Sequence, residues 1–156
     1  MASFRALWPA LVCLVPCLGN SADPSIIDSL RQRFPQGIPW HVEFKDMAGS
    51  DLGSLDLVIT SEPAKSCLGS MGSDSVRARF ERIDVAPTRL RIASYGIVQF
   101  TGYGITIDLT GDTCDAYLLM SGSLASDGSS TGELYTLGIR GGRDVGTYHA
   151  TIQYAK

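Results

Sequence analysis

The chain contains a single asparagine, Asn20, and Ala22 stands two places after it, so there is no N-glycosylation acceptor. Lysine is scarce, with Lys45, Lys65 and Lys156 the only examples among 13 basic residues. No apolar run reaches the roughly 20 residues that a membrane-spanning helix needs. The longest, Ala6 to Leu18, is interrupted by Pro9 and Pro16. Only two histidines occur, His41 and His149, and neither has a cysteine, histidine or carboxylate at ligand spacing. The net charge of −3 lacks the basic excess that nucleic acid or an anionic membrane surface would call for. Cysteine is equally sparse. Cys13 and Cys17 fall inside the first apolar run, which leaves Cys67 and Cys114 beyond it.

What is present begins with a leader. Arg5, the Ala6–Leu18 run and the small residues Gly19, Ser21 and Ala22 have the layout of a secretory signal peptide. Residues 1–22 are expected to be removed, leaving a mature chain that starts near Ala22 or Asp23. Proline before Cys17 is a poor lipobox, so lipidation of Cys17 is not expected. Loss of Arg5 makes the mature chain one unit more acidic. Many Arg and few Lys and Asn fit a GC-rich bacterial genome, and the periplasm is the expected destination. In that oxidising compartment Cys67 and Cys114 have only each other within the chain, so a disulfide between them is expected.

Residues 23–156 are enough for one domain with one core. Asp23-Pro24 opens a short helix over 24–34, with Ile26, Ile27, Leu30 and Phe34 at helical spacing and Pro35 and Gly37 as its stop. From Ile38 onward the pattern has period two. Trp40, Val42 and Phe44 alternate with His41, Glu43 and Lys45; Tyr148, Ala150 and Ile152 alternate with His149, Thr151 and Gln153. Similar runs lie at Leu55–Ile59, Val76–Phe80, Leu90–Ile92, Ile97–Phe100, Ile105–Leu109, Ala116–Leu124 and Leu134–Ile139. The apolar phase slips after Phe80 to Ile83 and Val85, which predicts a bulge near Arg82. Connections are short, and Gly141-Gly142 reads as the turn of a two-residue hairpin. Short connections require antiparallel neighbours. The expected fold is therefore all-β: an antiparallel up-and-down, lipocalin- or calycin-like barrel of about eight strands with one short N-terminal helix. A β-sandwich is the alternative.

One segment, Ser61 to Ser75, is too rich in Ser, Gly and Pro to hold a strand for long. Long ordered loops often carry function. A Cys67–Cys114 bridge would pin this one. Leu68 and Met71 are candidate apolar anchors for a partner, with Ser66, Ser70 and Ser73 as hydrogen-bonding groups around them. Arg77, Arg79, Arg89 and Arg91 fall on two runs that are expected to pair, and would form a cationic face for a carboxylate-rich partner. His41 and His149 fall on polar strand faces. The carboxylates Asp108, Asp112 and Asp115 around Gly111 match no calcium loop.

The layout of leader, short helix and disulfide-pinned antiparallel strands is similar to that of calycin-like barrels and small periplasmic inhibitors. No residue role follows from that resemblance. The expected function is an exported protein-binding module, an inhibitor or immunity protein that blocks a hydrolase through the Ser66–Ser75 loop. The alternative is a carrier of a small apolar ligand in a barrel cavity. No catalytic residue, cofactor or metal is expected.

Overall fold

The computed structural model describes residues 24–69, 71, 74–86, 88–101, 104–111 and 113–154. The leader, Cys17, Ser70 and Ser73 lie outside the described residues. The chain forms helix α1 (Pro24–Arg33) and strands β1 (Ile38–Asp46), β2 (Asp51–Pro63), β3 (Val76–Val85), β4 (Tyr95–Thr101), β5 (Gly104–Asp108), β6 (Ala116–Leu124), β7 (Ser130–Gly138) and β8 (Gly141–Ile152). Each strand pairs antiparallel with the next. β1 then pairs with β8, Trp40 opposite Ile152 and Phe44 opposite Tyr148, closing an eight-stranded up-and-down barrel. Among the described residues no helix is long and apolar enough to cross a membrane.

Period-two patterning builds the interior. Trp40, Phe44, Leu57, Ile107 and Met120 point inward and are at most 1 % exposed. Eight strands enclose a lumen about wide enough to be filled by side chains, and here the inward residues form one contiguous buried cluster. The predicted bulge is present: Asp56 faces Arg82 and Leu57 faces Phe80, so Glu81 is the extra residue that resets the apolar phase. Gly122 allows another close approach. A Cβ there would come within 2.6 Å of the Tyr148 hydroxyl and collide with the Thr131 carbonyl. The small residue lets the Tyr148 hydroxyl share a 2.8 Å hydrogen bond with Ser130 Oγ inside the wall. Burial of that phenol pushes its pKa up to about 12.

The sequence misleads at two places. Leu90–Ile92 is not a strand, because β3 pairs directly with β4 (Val76 opposite Val98, Arg79 opposite Tyr95) and leaves no partner for it. The segment belongs to a connector in which the amides of Arg89 and Leu90 both donate to Ala86 O. Leu90 is buried because it folds into the core, and this is why its alternation looks strand-like. The β7–β8 turn is also displaced. Gly138 pairs with Gly141, so Ile139 and Arg140 form the two-residue loop and Gly141, at φ +104°, closes it.

The two barrel ends differ. At one, α1 lies against the rim. Leu30 joins the interior cluster, and its side chain sits beside Ile152 over the Gly128 turn. Phe34 is 6.1 Å from Tyr154, and Arg31 stands 5.7 Å from the Phe100 ring centroid. Nothing comparable covers the other end among the described residues. The β1–β2 turn, the β3–β4 connector, the β5–β6 loop and the β7–β8 hairpin meet there.

Candidate functional site

Three of those connections shape a concavity. The β3–β4 connector is tied down where the Ala93 amide donates to Leu109 O at 2.9 Å. The β5–β6 loop is held by Leu109 N donating to Leu118 O at 2.8 Å, and by the Tyr117 hydroxyl donating to Cys114 O. The third wall is the β7–β8 hairpin, stiffened by its two-residue turn. Between them lies an open pocket of about 730 Å³. Leu90, Ile92, Leu118, Leu137 and Val145 give it apolar surface; Arg89, Arg91, Arg140 and Asp115 are the charged residues lining it. The volume falls within the range of about 300–1,000 Å³ usual for small-molecule sites. Leu90 and Leu118 belong both to its lining and to the core cluster, so the pocket opens directly above the core at the barrel mouth. Ile139, at the hairpin tip beside it, is 88 % exposed.

The Ser61–Ser75 segment does not stand out as a free loop. Ala64 N donates to Ser75 O at 2.9 Å and closes its base. Cys67 is then joined to Cys114, with Cα atoms 5.1 Å apart, as expected from the cysteine count. The base lies toward the helix end and Cys114 lies at the pocket end, so the described part of the segment, Ala64 to Gly69, forms a strap that leads from one end toward the other. Burial on the wall departs from strand alternation. Ile97, Asp108 and Leu119 sit opposite one another on β4, β5 and β6. Alternation turns them outward, away from Val98, Ile107 and Met120, yet all three are at most 1 % exposed. Met71 is buried too, at 7 % exposure. The expectation that Met71 is an exposed anchor is therefore corrected: its thioether chain serves the protein's own packing. Leu68 and Ser66 are half-buried, and Ser66 Oγ accepts from the Leu68 amide at 3.0 Å.

The four arginines expected on one face are divided. Arg77 and Arg79 are on β3, on the outer wall. Arg79 pairs with Glu81 at 3.0 Å; Arg77 reaches Glu62 at 3.9 Å and lies 4.6 Å over the Tyr95 ring. Arg89 and Arg91 belong to the connector and line the pocket instead. The reason is the missing strand: without pairing, the Leu90 run cannot sit beside Arg77 and Arg79.

Asp108 is a second feature that spacing alone did not single out. Its Oδ1 accepts from the Thr110 amide at 2.9 Å and the Thr110 hydroxyl at 2.6 Å. Among the described residues its Oδ2 is buried with no hydrogen-bond partner. Desolvation raises the carboxyl pKa, and the Thr110 bonds offset part of the rise. His41 is not simply solvated. Its Nδ1 lies 2.6 Å from Asp56 Oδ1, which also accepts from Gln153 Nε2 at 3.1 Å. A histidine–aspartate pair can orient a base, but this one sits on the outer barrel wall. Among the described residues no hydroxyl or thiol is bonded to its ring. Likewise, no three His, Cys, Asp or Glu side chains converge as metal ligands among them.

Arg140, Leu137 and Val145 were not legible as pocket residues. Their signal is spatial, arising from where three connections meet. No family model, curated protein or solved structure matches the chain.

Proposed function

We propose that the protein is a non-catalytic binding barrel, exported to the periplasm, that holds a small and largely apolar ligand in the mouth pocket. The observation that carries this reading is the pocket itself: about 730 Å³, lined by Leu90, Leu118 and Leu137, at the end of the barrel that α1 does not cover. Apolar surface kept concave and open at a barrel mouth favours a ligand site. The test uses the uncharged dye N-phenylnaphthylamine. Its fluorescence should rise on binding to the purified mature protein. Leu137→Glu, which sets a charge on the half-buried pocket wall, should abolish the rise while Trp40 emission and thermal stability report an intact fold. No rise with the parent protein, or an equal rise with the variant, would sink the reading.

A protein partner is the second reading, in which the chain blocks an exported hydrolase. It is favoured by Ile139, 88 % exposed at the rim, and by Leu68 on the disulfide-pinned strap. A loop held in shape before contact loses less entropy on binding. Capture of a hydrolase that is lost on Ile139→Asp and Leu68→Asp together, with dye binding absent, would put this reading first.

A further inference from the structure

We infer that the mouth pocket selects an amphipathic anion: an aliphatic body bearing a carboxylate or phosphate, clamped by Arg91 and Arg140. The inference rests on the pocket reading above and adds the ligand's charge.

Local charge is the first argument. The whole chain is acidic, at −3. The pocket lining runs the other way, with Arg89, Arg91 and Arg140 against Asp115 among the described residues. An acidic protein with a cationic mouth attracts anions to that place and repels them elsewhere.

The second argument is which arginines are already engaged. On the outer wall Arg77, Arg79 and Arg82 each have a carboxylate within 4 Å, at 3.9, 3.0 and 3.6 Å. Next to the helix end, Arg31 and Arg33 lie over the Phe100 and Tyr154 rings. Of the pocket arginines, Arg89 donates through Nη1 to Asp51 O at 2.8 Å, which holds it to the neighbouring turn. No such ion pair or ring contact is made by Arg91 or Arg140 among the described residues. Unengaged guanidiniums beside an apolar floor are poised for a bidentate hydrogen bond to an oxyanion, which Lys would not reproduce.

The third argument is position. Arg91 comes from the β3–β4 connector and Arg140 from the β7–β8 hairpin. These connections are separated by half the circuit of the barrel, so the two cations enter the mouth from opposite sides. A ligand that puts its chain on Leu118 and Leu137 would leave its head between them.

The experiment titrates the mature protein with decanoate, decyl phosphate, decanol and decyltrimethylammonium, reading displacement of N-phenylnaphthylamine. Hydrogen bonds to a charged group contribute about 1.5–3 kcal/mol. Decanoate or decyl phosphate should therefore bind about tenfold or more tightly than decanol, and the preference should shrink at high salt. Comparing the two anions separates carboxylate from phosphate as the preferred head. In the Arg91→Ala/Arg140→Ala double variant the preference for the anions over decanol should vanish while the thermal melt reports an intact fold. Equal binding of decanol and both anions, a preference for the ammonium compound, or a preference that survives in the double variant would overturn the clamp and leave the pocket reading standing. Failure of decanol and the dye to bind at all would remove the pocket reading and the clamp together.

Discussion

The two ends of this barrel are made from the same strands and differ in what is laid over them. At the helix end, Leu30, Phe34 and Arg31 of the N-terminal segment pack on the rim and cover part of it. At the pocket end the connections themselves form the boundary. Their apolar residues face a pocket of about 730 Å³. Closing an end yields stability; leaving one concave and stiff yields a place to bind. The pocket end is not left loose, however. Cys67–Cys114 ties its β5–β6 wall to the strap, whose base lies toward the helix end.

That tie gives the largest expected effect. The bridge joins residues 47 apart. In the chain-entropy model a loop of that size is worth about 4 kcal/mol. Cys67→Ser/Cys114→Ser should lower unfolding free energy by up to that amount in urea titrations followed by Trp40 fluorescence. It should also weaken dye binding, because a pocket wall is freed. Unchanged stability and unchanged binding would mean that the strap needs no covalent anchor.

A matched pair of truncations sharpens the contrast between the ends. Leu30→Ala removes a side chain that is 5 % exposed and packed in the core. It should cost about 2–5 kcal/mol and leave the pocket's ligand affinity nearly unchanged. Leu137→Ala, on the half-buried pocket wall, should cost about 1 kcal/mol or less and weaken ligand affinity. Thermal melts and dye titrations of both variants decide it. The reverse pattern would erase the distinction between a closing end and a binding end.

The smallest effect concerns Asp108, beneath the strap. Its folded pKa is raised by burial above the ordinary 3.8. The native state therefore holds this proton more tightly than the unfolded chain. The resulting contribution to stability is fully present below the unfolded pKa. It is lost as pH rises through the folded one. Asp108→Asn keeps an oxygen for Thr110 and cannot ionise. The stability of the variant minus that of the parent should become more favourable as pH rises from about 3 towards neutrality. A difference that is flat with pH would show that the carboxyl does not titrate under the strap.

Much of the barrel was legible because strand alternation is local. Trp40-Val42-Phe44 and Tyr148-Ala150-Ile152 announce an inner face, and the Glu81 bulge shows as a slip of phase. The cysteine pair followed from elimination. Alternation misled at Leu90–Ile92, since a connector that tucks Leu90 into the core produces the same pattern as a strand. It was also silent on Tyr117 to Met120, where four consecutive residues are buried. Inner and outer faces of β6 are both covered there, and a period-two pattern marks only one face as buried. The pocket was illegible for a similar reason. Arg91, Asp115 and Arg140 come together only when strand order places three connections at one rim.

The pairing of β1 with β8 has a consequence for how the chain matures. Trp40 meets Ile152, so the seam joins nearly the first strand residue to the last. Until β8 has emerged from synthesis, β1 and β7 stand as open edges, and the wall can curl but cannot shut. Contacts so distant in sequence form late, since the intervening loop must be closed before they reward the chain. On the proposed export route, this delay would keep the nascent chain threadable. The last strand then acts as the latch that commits it to the folded state.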